Sequence, residues 1–237
     1  HKEYRRQRQM CIRDRLVTLF CVFLKFGLFS QNGVSSYFTQ KILLDEFSLF
    51  GNVLIGLILF LNFIPIWGTS YELNEKTSEA IILILMSASG FFLMVDAENL
   101  IMLFIGLEIG SISLYALAGL NRRDKLSNEA SLKYFLLGSL ASCIFIYGVA
   151  LVYVSYSLMS VYDFALAIAY TGPDLIPLTT FIGVLLIFVG LLFKIAAAPF
   201  QSWAPDVYQG SPTGYVGYMA SIVKAASFIV IARICMV

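Results

Sequence analysis

Long apolar blocks alternate with short polar connections along this chain, and seven of them predict membrane-spanning helices over about 16–29, 48–67, 79–96, 99–120, 129–156, 178–208 and 212–237. Apolarity sustained over roughly 18 residues or more separates a membrane span from a helix of a soluble core. No ten-residue alternation of the kind a membrane barrel needs is present. The expected fold is therefore all-α, a polytopic transmembrane helix bundle. Its first block is short and interrupted by Lys25.

The sixth block, LTTFIGVLLIFVGLLFKIAAAPFQSWAPDVYQGSPT, carries Pro199 near its middle, with Pro205 and Pro212 beyond. Proline lacks an amide donor and clashes with the preceding turn, so a helix here must stop at or before Pro199. Inside a membrane such a break survives only where protein or water satisfies the freed backbone groups, and transporters place ion sites there. The residues equally allow a span that ends at Ala198, followed by an interfacial segment anchored by Trp203 and Tyr208.

Composition agrees with the block pattern: 59% of residues are hydrophobic and 13% charged, against roughly 25% charged in soluble domains. A net charge of +1 gives no electrostatic footprint for nucleic acid. The single histidine is residue 1, and Cys11, Cys21, Cys143 and Cys235 have no metal-ligand spacing. Phosphate-cradling glycine motifs are absent as well. No cofactor is expected on this chain.

Residues 1–15 carry six Lys/Arg and two Asp/Glu and cannot enter a bilayer. They are either a basic anchor beside the first span or, given the string QMCIRDR, translated adaptor sequence, and they are set apart from the transmembrane half-domain over 16–237. The other basic connection is the loop with Arg122, Arg123 and Lys125. Basic loops face the cytoplasm or matrix, so seven alternating spans place the N-terminus inside and the acidic connections near Glu98 and 163–174 outside.

Among the ionisable residues within the predicted spans, where insertion costs about 2.5–3.5 kcal/mol each at a helix centre, four stand out. They are Glu108 in LIMLFIGLEIGSISLYALAGL, Lys133 one turn inside the next span, Lys194 just ahead of the proline break, and Lys224 at the centre of the last span. Snorkelling to the interface is the plain reading of a lysine near a loop, such as Lys133; an ion pair with Lys133 is the plain reading of Glu108. Gly106 and Gly110 bracket Glu108 in a GxxxG spacing that lets a neighbouring helix approach, a weak dimer motif and a more attractive clearance for a partner lysine. Burial and opposite charge shift such groups in opposing directions, as proton relay requires.

The stretches GLEIGSISLYALAG, EASLKYFLLGSLAS and LLFKIAAAPFQSWAPDVYQGSPT, followed by the lysine-centred last span, resemble in order and spacing the antiporter-like membrane subunits of respiratory complex I, the NADH dehydrogenase subunit 2 branch in particular. The resemblance covers about 91–228. It implies a proton-translocating subunit of NADH:ubiquinone oxidoreductase with no redox centre on this chain, in the mitochondrial inner membrane or a bacterial plasma membrane. It also implies a relay through Glu108, Lys133, Lys194 and Lys224, and makes the break before Pro199 the favoured reading. Other membrane-arm subunits and lipid are the implied partners.

Two departures qualify this. The family's usual histidine after Pro-Phe is Gln201 here, which can hold water but does not titrate near neutral pH. The family also has two inverted repeats, whereas this sequence ends within the helix bearing Lys224, so a separate C-terminal half or an incomplete sequence is expected. Related cation/proton antiporter or hydrogenase complexes are the alternative within transporters, and a non-pumping scaffold is the alternative outside them. Three geometric expectations follow. Glu108 and Lys133 should approach each other; a hydrated cavity should adjoin the carbonyls of about 190–195, with Gln201 facing it; and a second repeat should cover the Lys224 face.

Overall fold

The computed structural model describes residues 25, 35–37, 41–73, 77–171 and 175–236. The helices are α1 (Glu46–Leu73), α2 (Thr77–Asp96), α3 (Leu100–Ala118), α4 (Lys125–Tyr156), α5 (Val161–Thr171), α6 (Leu178–Ile195), α7 (Trp203–Gly210) and α8 (Thr213–Met236), with a 3-10 turn at Phe200–Ser202. Six candidate membrane spans are present among the described residues, the fifth of them running Leu178–Gly210 through the interruption after α6. The predicted first span over 16–29 lies outside the described residues, apart from Lys25.

Local chemistry sets the helix starts. Asp45 and Ser48 cap α1 reciprocally: the Ser48 amide donates to Asp45 Oδ1 at 2.7 Å, and the Asp45 amide to Ser48 Oγ at 3.0 Å. Asn99 and Asp124 cap α3 and α4 through the amides of Ile101 and Leu126, each at 3.0 Å. A short hairpin turn joins α3 to α4, and Ser127 and Ser131 of α4 close it by donating to the carbonyls of Ala118 and Tyr115 at 2.8 and 2.9 Å.

Two features of the opposite face were not foreseen. Ser35–Tyr37 and Ile42–Leu44 form a small antiparallel ribbon, paired Ser35 with Leu44 and Tyr37 with Ile42. The acidic connection expected over 163–174 is in part the helix α5. Its N-terminus receives the Glu98 carboxylate, which accepts from the Tyr162 amide at 3.1 Å and Ser160 Oγ at 3.2 Å, a favourable charge at the positive end of a helix.

Packing is tightest where glycines let backbones touch. At the α2–α3 crossing, a Cβ on Gly90 would come within 2.4 Å of the Gly110 amide nitrogen, and one on Gly106 within 2.6 Å of the Met94 nitrogen. Of the two uses expected of Gly106 and Gly110, the approach of a neighbouring helix is found and clearance for a lysine is corrected: they admit α2, with Gly110 lying under the Phe91 ring. The α4–α6 crossing repeats the device, Gly148 facing the Gly183 carbonyl, where a Cβ would sit at 2.6 Å. Along α4, Tyr134, Ala141, Phe145, Val149 and Val152 are buried while Leu132, Leu136 and Leu140 are exposed. Both faces are apolar, as a helix between protein and lipid requires.

The sixth span ends its first helix at Ile195, before Pro199. Ala196 takes the left-handed conformation (φ 59°, ψ 40°). Its amide reaches the Phe193 carbonyl and that of Ala197 the Leu192 carbonyl, each at 3.0 Å, which is the hydrogen-bond pattern of a Schellman stop. Trp203 Nε1 donates to the Phe193 carbonyl at 3.2 Å. The carbonyls of Leu192 and Phe193 are thus satisfied by protein, one of the two means that such a break allows.

Candidate functional site

Lys194 occupies the last turn of α6 and is 4% exposed. Its Nζ donates to Tyr115 Oη at 2.9 Å, Ser111 Oγ at 3.2 Å and the Gly138 carbonyl at 3.3 Å. An ammonium has three donors, and three acceptors, all neutral, take them. Gly138 makes room for this cradle, since a Cβ there would lie 2.2 Å from Tyr115 Oη. Below it, Tyr115 meets Tyr134 edge-on with centroids 4.7 Å apart, and Tyr134 stacks on Trp203 at 5.0 Å. The aromatic column fixes the tyrosine hydroxyl beside the amine.

Glu108 lies one turn before Ser111 on α3 and is half-buried. Ser142 Oγ of α4 makes a short hydrogen bond to Glu108 Oε1, and the same oxygen lies 3.0 Å from the Gly138 carbonyl. Glu108 and Lys194 therefore sit on one polar seam between α3 and α4, joined through Ser142 and the Gly138 carbonyl. Two of the three groups holding Lys194 are hydroxyls, which can turn from acceptor to donor. The cradle can thus hold the amine charged or neutral, and a proton can leave Lys194 without stranding a buried polar group.

Lys133 does not join this seam. Its Nζ lies 2.7 Å from both Glu129 and Asp206, with the lysine side chain 41% exposed. The expected approach of Lys133 to Glu108 is corrected: Lys133 starts only two turns into α4, and acids at that depth are nearer than Glu108. Lys224 is half-buried on α8, its Nζ 5.9 Å from the centre of the Tyr208 ring, with no ion pair among the described residues. Pro199 and Gln201 are both exposed on the surface of this chain. Gln201 faces outward and not toward Lys194, because the break is packed by Trp203 on its inner side.

Sequence reasoning missed Ser111, Tyr115, Gly138 and Ser142. Their signal was present: Glu108, Ser111 and Tyr115 follow i, i+3, i+7 spacing, and Gly138 and Ser142 follow i, i+4, so each set shares a helix face. It also missed buried charges at the other end of the bundle. Asp96, 4% exposed, accepts from Asn52 Nδ2 at 2.6 Å and pairs with Lys25. Arg233, 6% exposed, reaches Asp45 Oδ1 at 2.8 Å.

Comparison with known proteins gives a consistent assignment. The profile of the NADH:quinone oxidoreductase/Mrp antiporter transmembrane family matches residues 97–237. NADH-quinone oxidoreductase subunit N 2 of Koribacter versatilis is 41% identical over 208 residues, 88% of this chain and 42% of that protein. A chain of the respiratory complex I of Thermus thermophilus, solved with bound aureothin, superposes with a TM-score of 0.76 at 31% identity, over 96% of this chain and 48% of its own length. A chain of the membrane-bound sulfane sulfur reductase, an archaeal respiratory complex, superposes with a TM-score of 0.79 at 25% identity, over 94% and 47%. The chain spans less than half the length of each of these relatives. With more than half of its residues matched by the profile and its helices superposing on complex I, this chain belongs to the NADH:quinone oxidoreductase/Mrp antiporter transmembrane family.

Proposed function

We propose that the chain forms one proton half-channel of a membrane-arm subunit of NADH-quinone oxidoreductase, with Glu108 and Lys194 as its proton-carrying groups. The subunit is of the N type, the name its relatives carry, in place of the mitochondrial subunit 2 branch suggested by the motifs. Because those relatives are bacterial, a bacterial-type plasma membrane is the proposed location, with the loop at Arg122 and Arg123 on the cytoplasmic side. Redox chemistry is assigned to other subunits. Other membrane-arm subunits are the proposed partners, and a second repeat, continuous with this chain or separate from it, is the proposed cover for the half-exposed Lys224.

The observation that carries this reading is the buried Lys194 in a reversible cradle on the same seam as Glu108. A scaffold has no need of an ammonium whose partners include no carboxylate, since an uncompensated buried charge is costly. The test is proton translocation against NADH-driven turnover in the assembled complex. Glu108→Gln and Lys194→Met should sharply lower pumping with assembly retained; full pumping in both would leave only the scaffold. Likeness to the sulfane sulfur reductase chain favours a second reading, a subunit of a related respiratory complex. Copurification with NADH-oxidising subunits separates the two.

A further inference from the structure

The Ser142 hydroxyl has one proton and two places to put it. Its Oγ touches Glu108 Oε1 and lies 3.0 Å from the Gly138 carbonyl. That carbonyl is oversubscribed. As residue i−4 to Ser142 within the unbroken helix α4, it accepts the Ser142 amide, and it also accepts Lys194 Nζ at 3.3 Å. A carbonyl oxygen offers two lone pairs, so the Ser142 hydroxyl and the Lys194 ammonium compete for the second.

We infer that Ser142 is a positioning residue that couples the protonation of Glu108 to the hold on Lys194, through the Gly138 carbonyl they share. This rests on the function proposed above. With Glu108 ionised, the carboxylate can only accept, so Ser142 donates to it and leaves the Gly138 carbonyl to Lys194. Once Glu108 is protonated, its own O–H donates to Ser142 Oγ. The serine proton then turns to the Gly138 carbonyl and displaces one of the three acceptors of the ammonium. Protonating Glu108 thus loosens Lys194 beyond what loss of charge attraction does. No proton crosses the carbonyl, which carries none; the hydroxyl is a coupling device and not a conduit.

The other charged groups on the helices packed around α3 are engaged elsewhere or exposed. Asp96 of α2 is held by Lys25 and Asn52, and Glu79 lies exposed in the first turn of that helix. On α4, Lys133 is held by Glu129 and Asp206, and Tyr134 is stacked on Trp203. On α8, Lys224 lies over Tyr208, and Arg233 is held by Asp45. Tyr115, on α3 itself, is held by Lys194.

The test compares Ser142→Thr, which keeps the hydroxyl, with Ser142→Cys and Ser142→Ala, in the whole complex. Two signals are read: the infrared carboxyl band that disappears in Glu108→Gln, and the pH profile of NADH-driven pumping. Thr should retain both signals. Cys and Ala should shift the band and change the pH profile of pumping, because the hydrogen bond to the charged carboxylate is lost. Lys194→Met should displace the Glu108 band less in the Ala or Cys background than in the parent, because only direct charge attraction then remains. If the Ala complex does not assemble, the Cys variant decides. Band and profile unchanged in Cys, with Glu108→Gln still abolishing pumping, would show that Ser142 only back-bonds its own helix. If instead Glu108→Gln pumps normally, the proposed function falls, while the infrared comparison still decides the coupling.

Discussion

Lys133 and Asp206 lie 2.7 Å apart and close the second half of the interrupted span onto the start of α4. Both side chains are substantially exposed, at 41% and 56%, and ion pairs of this kind are weakened by salt. Lys133→Met and Asp206→Asn should therefore each leave pumping near that of the parent complex. Thermal stability of the complex should fall slightly in each, more in Lys133→Met, which also loses Glu129, and the double variant should fall no further than Lys133→Met, because the shared contact is removed once. A loss of pumping in Lys133→Met as deep as that in Glu108→Gln would return Lys133 to the relay.

The α2–α3 crossing admits no side chain at two positions. Gly90→Ala or Gly106→Ala places a Cβ within 2.4 or 2.6 Å of facing backbone, which cannot rotate away. Each should destabilise the subunit by about 1–3 kcal/mol, read as a lower melting temperature of the detergent-solubilised complex. Gly110→Ala meets the Phe91 ring first, a side chain that can shift, and should cost less.

Tyr115→Phe removes the shortest of the three bonds to Lys194. Pumping should fall while assembly persists, since the ring keeps its place against Tyr134. Gly138→Ala should reproduce the same loss by a different route: its Cβ, 2.2 Å from the hydroxyl, pushes Tyr115 off the amine. Normal pumping in both variants would remove Tyr115 from the site.

The spans and the break were legible because they rest on composition and on proline, which act within a few residues. Lys194 was legible as a buried charge for the same reason: a lysine in an apolar run is conspicuous alone. Its partners were not. Ser111, Tyr115 and Ser142 are unremarkable in any membrane helix and gain meaning only when α3, α4 and α6 are docked, α4 on α6 through the close Gly148–Gly183 approach. Lys133 was misassigned because adjacency across a hairpin says nothing of Asp206, which arrives from 73 residues further along the chain. Asp96 and Arg233 were overlooked because charges near the ends of spans read as interfacial.

Arg233 and Asp45 form a pair in which the arginine is almost fully enclosed, at 7% side-chain exposure. Removing one member of a buried pair strands the other, at a cost of about 3 kcal/mol or more. Asp45→Ala should therefore lower the stability of the subunit well beyond the loss expected from its α1 cap alone, and Arg233→Met in the same chain should recover part of it. Additive losses in the double variant would show that the two groups are not coupled.

Ala196 holds a left-handed conformation that costs an alanine about 1–2 kcal/mol and a glycine almost nothing. Three alanines in a row precede Pro199, and alanine is the residue most content to stay helical. The alanines thus lean toward further winding, while Pro199 and the packing of Trp203 against Phe193 lean against it. α6 is in this sense a spring held short by its surroundings, with Lys194 on its final coil. The stop that ends the coil therefore also fixes the register at which the amine meets Ser111 and Tyr115.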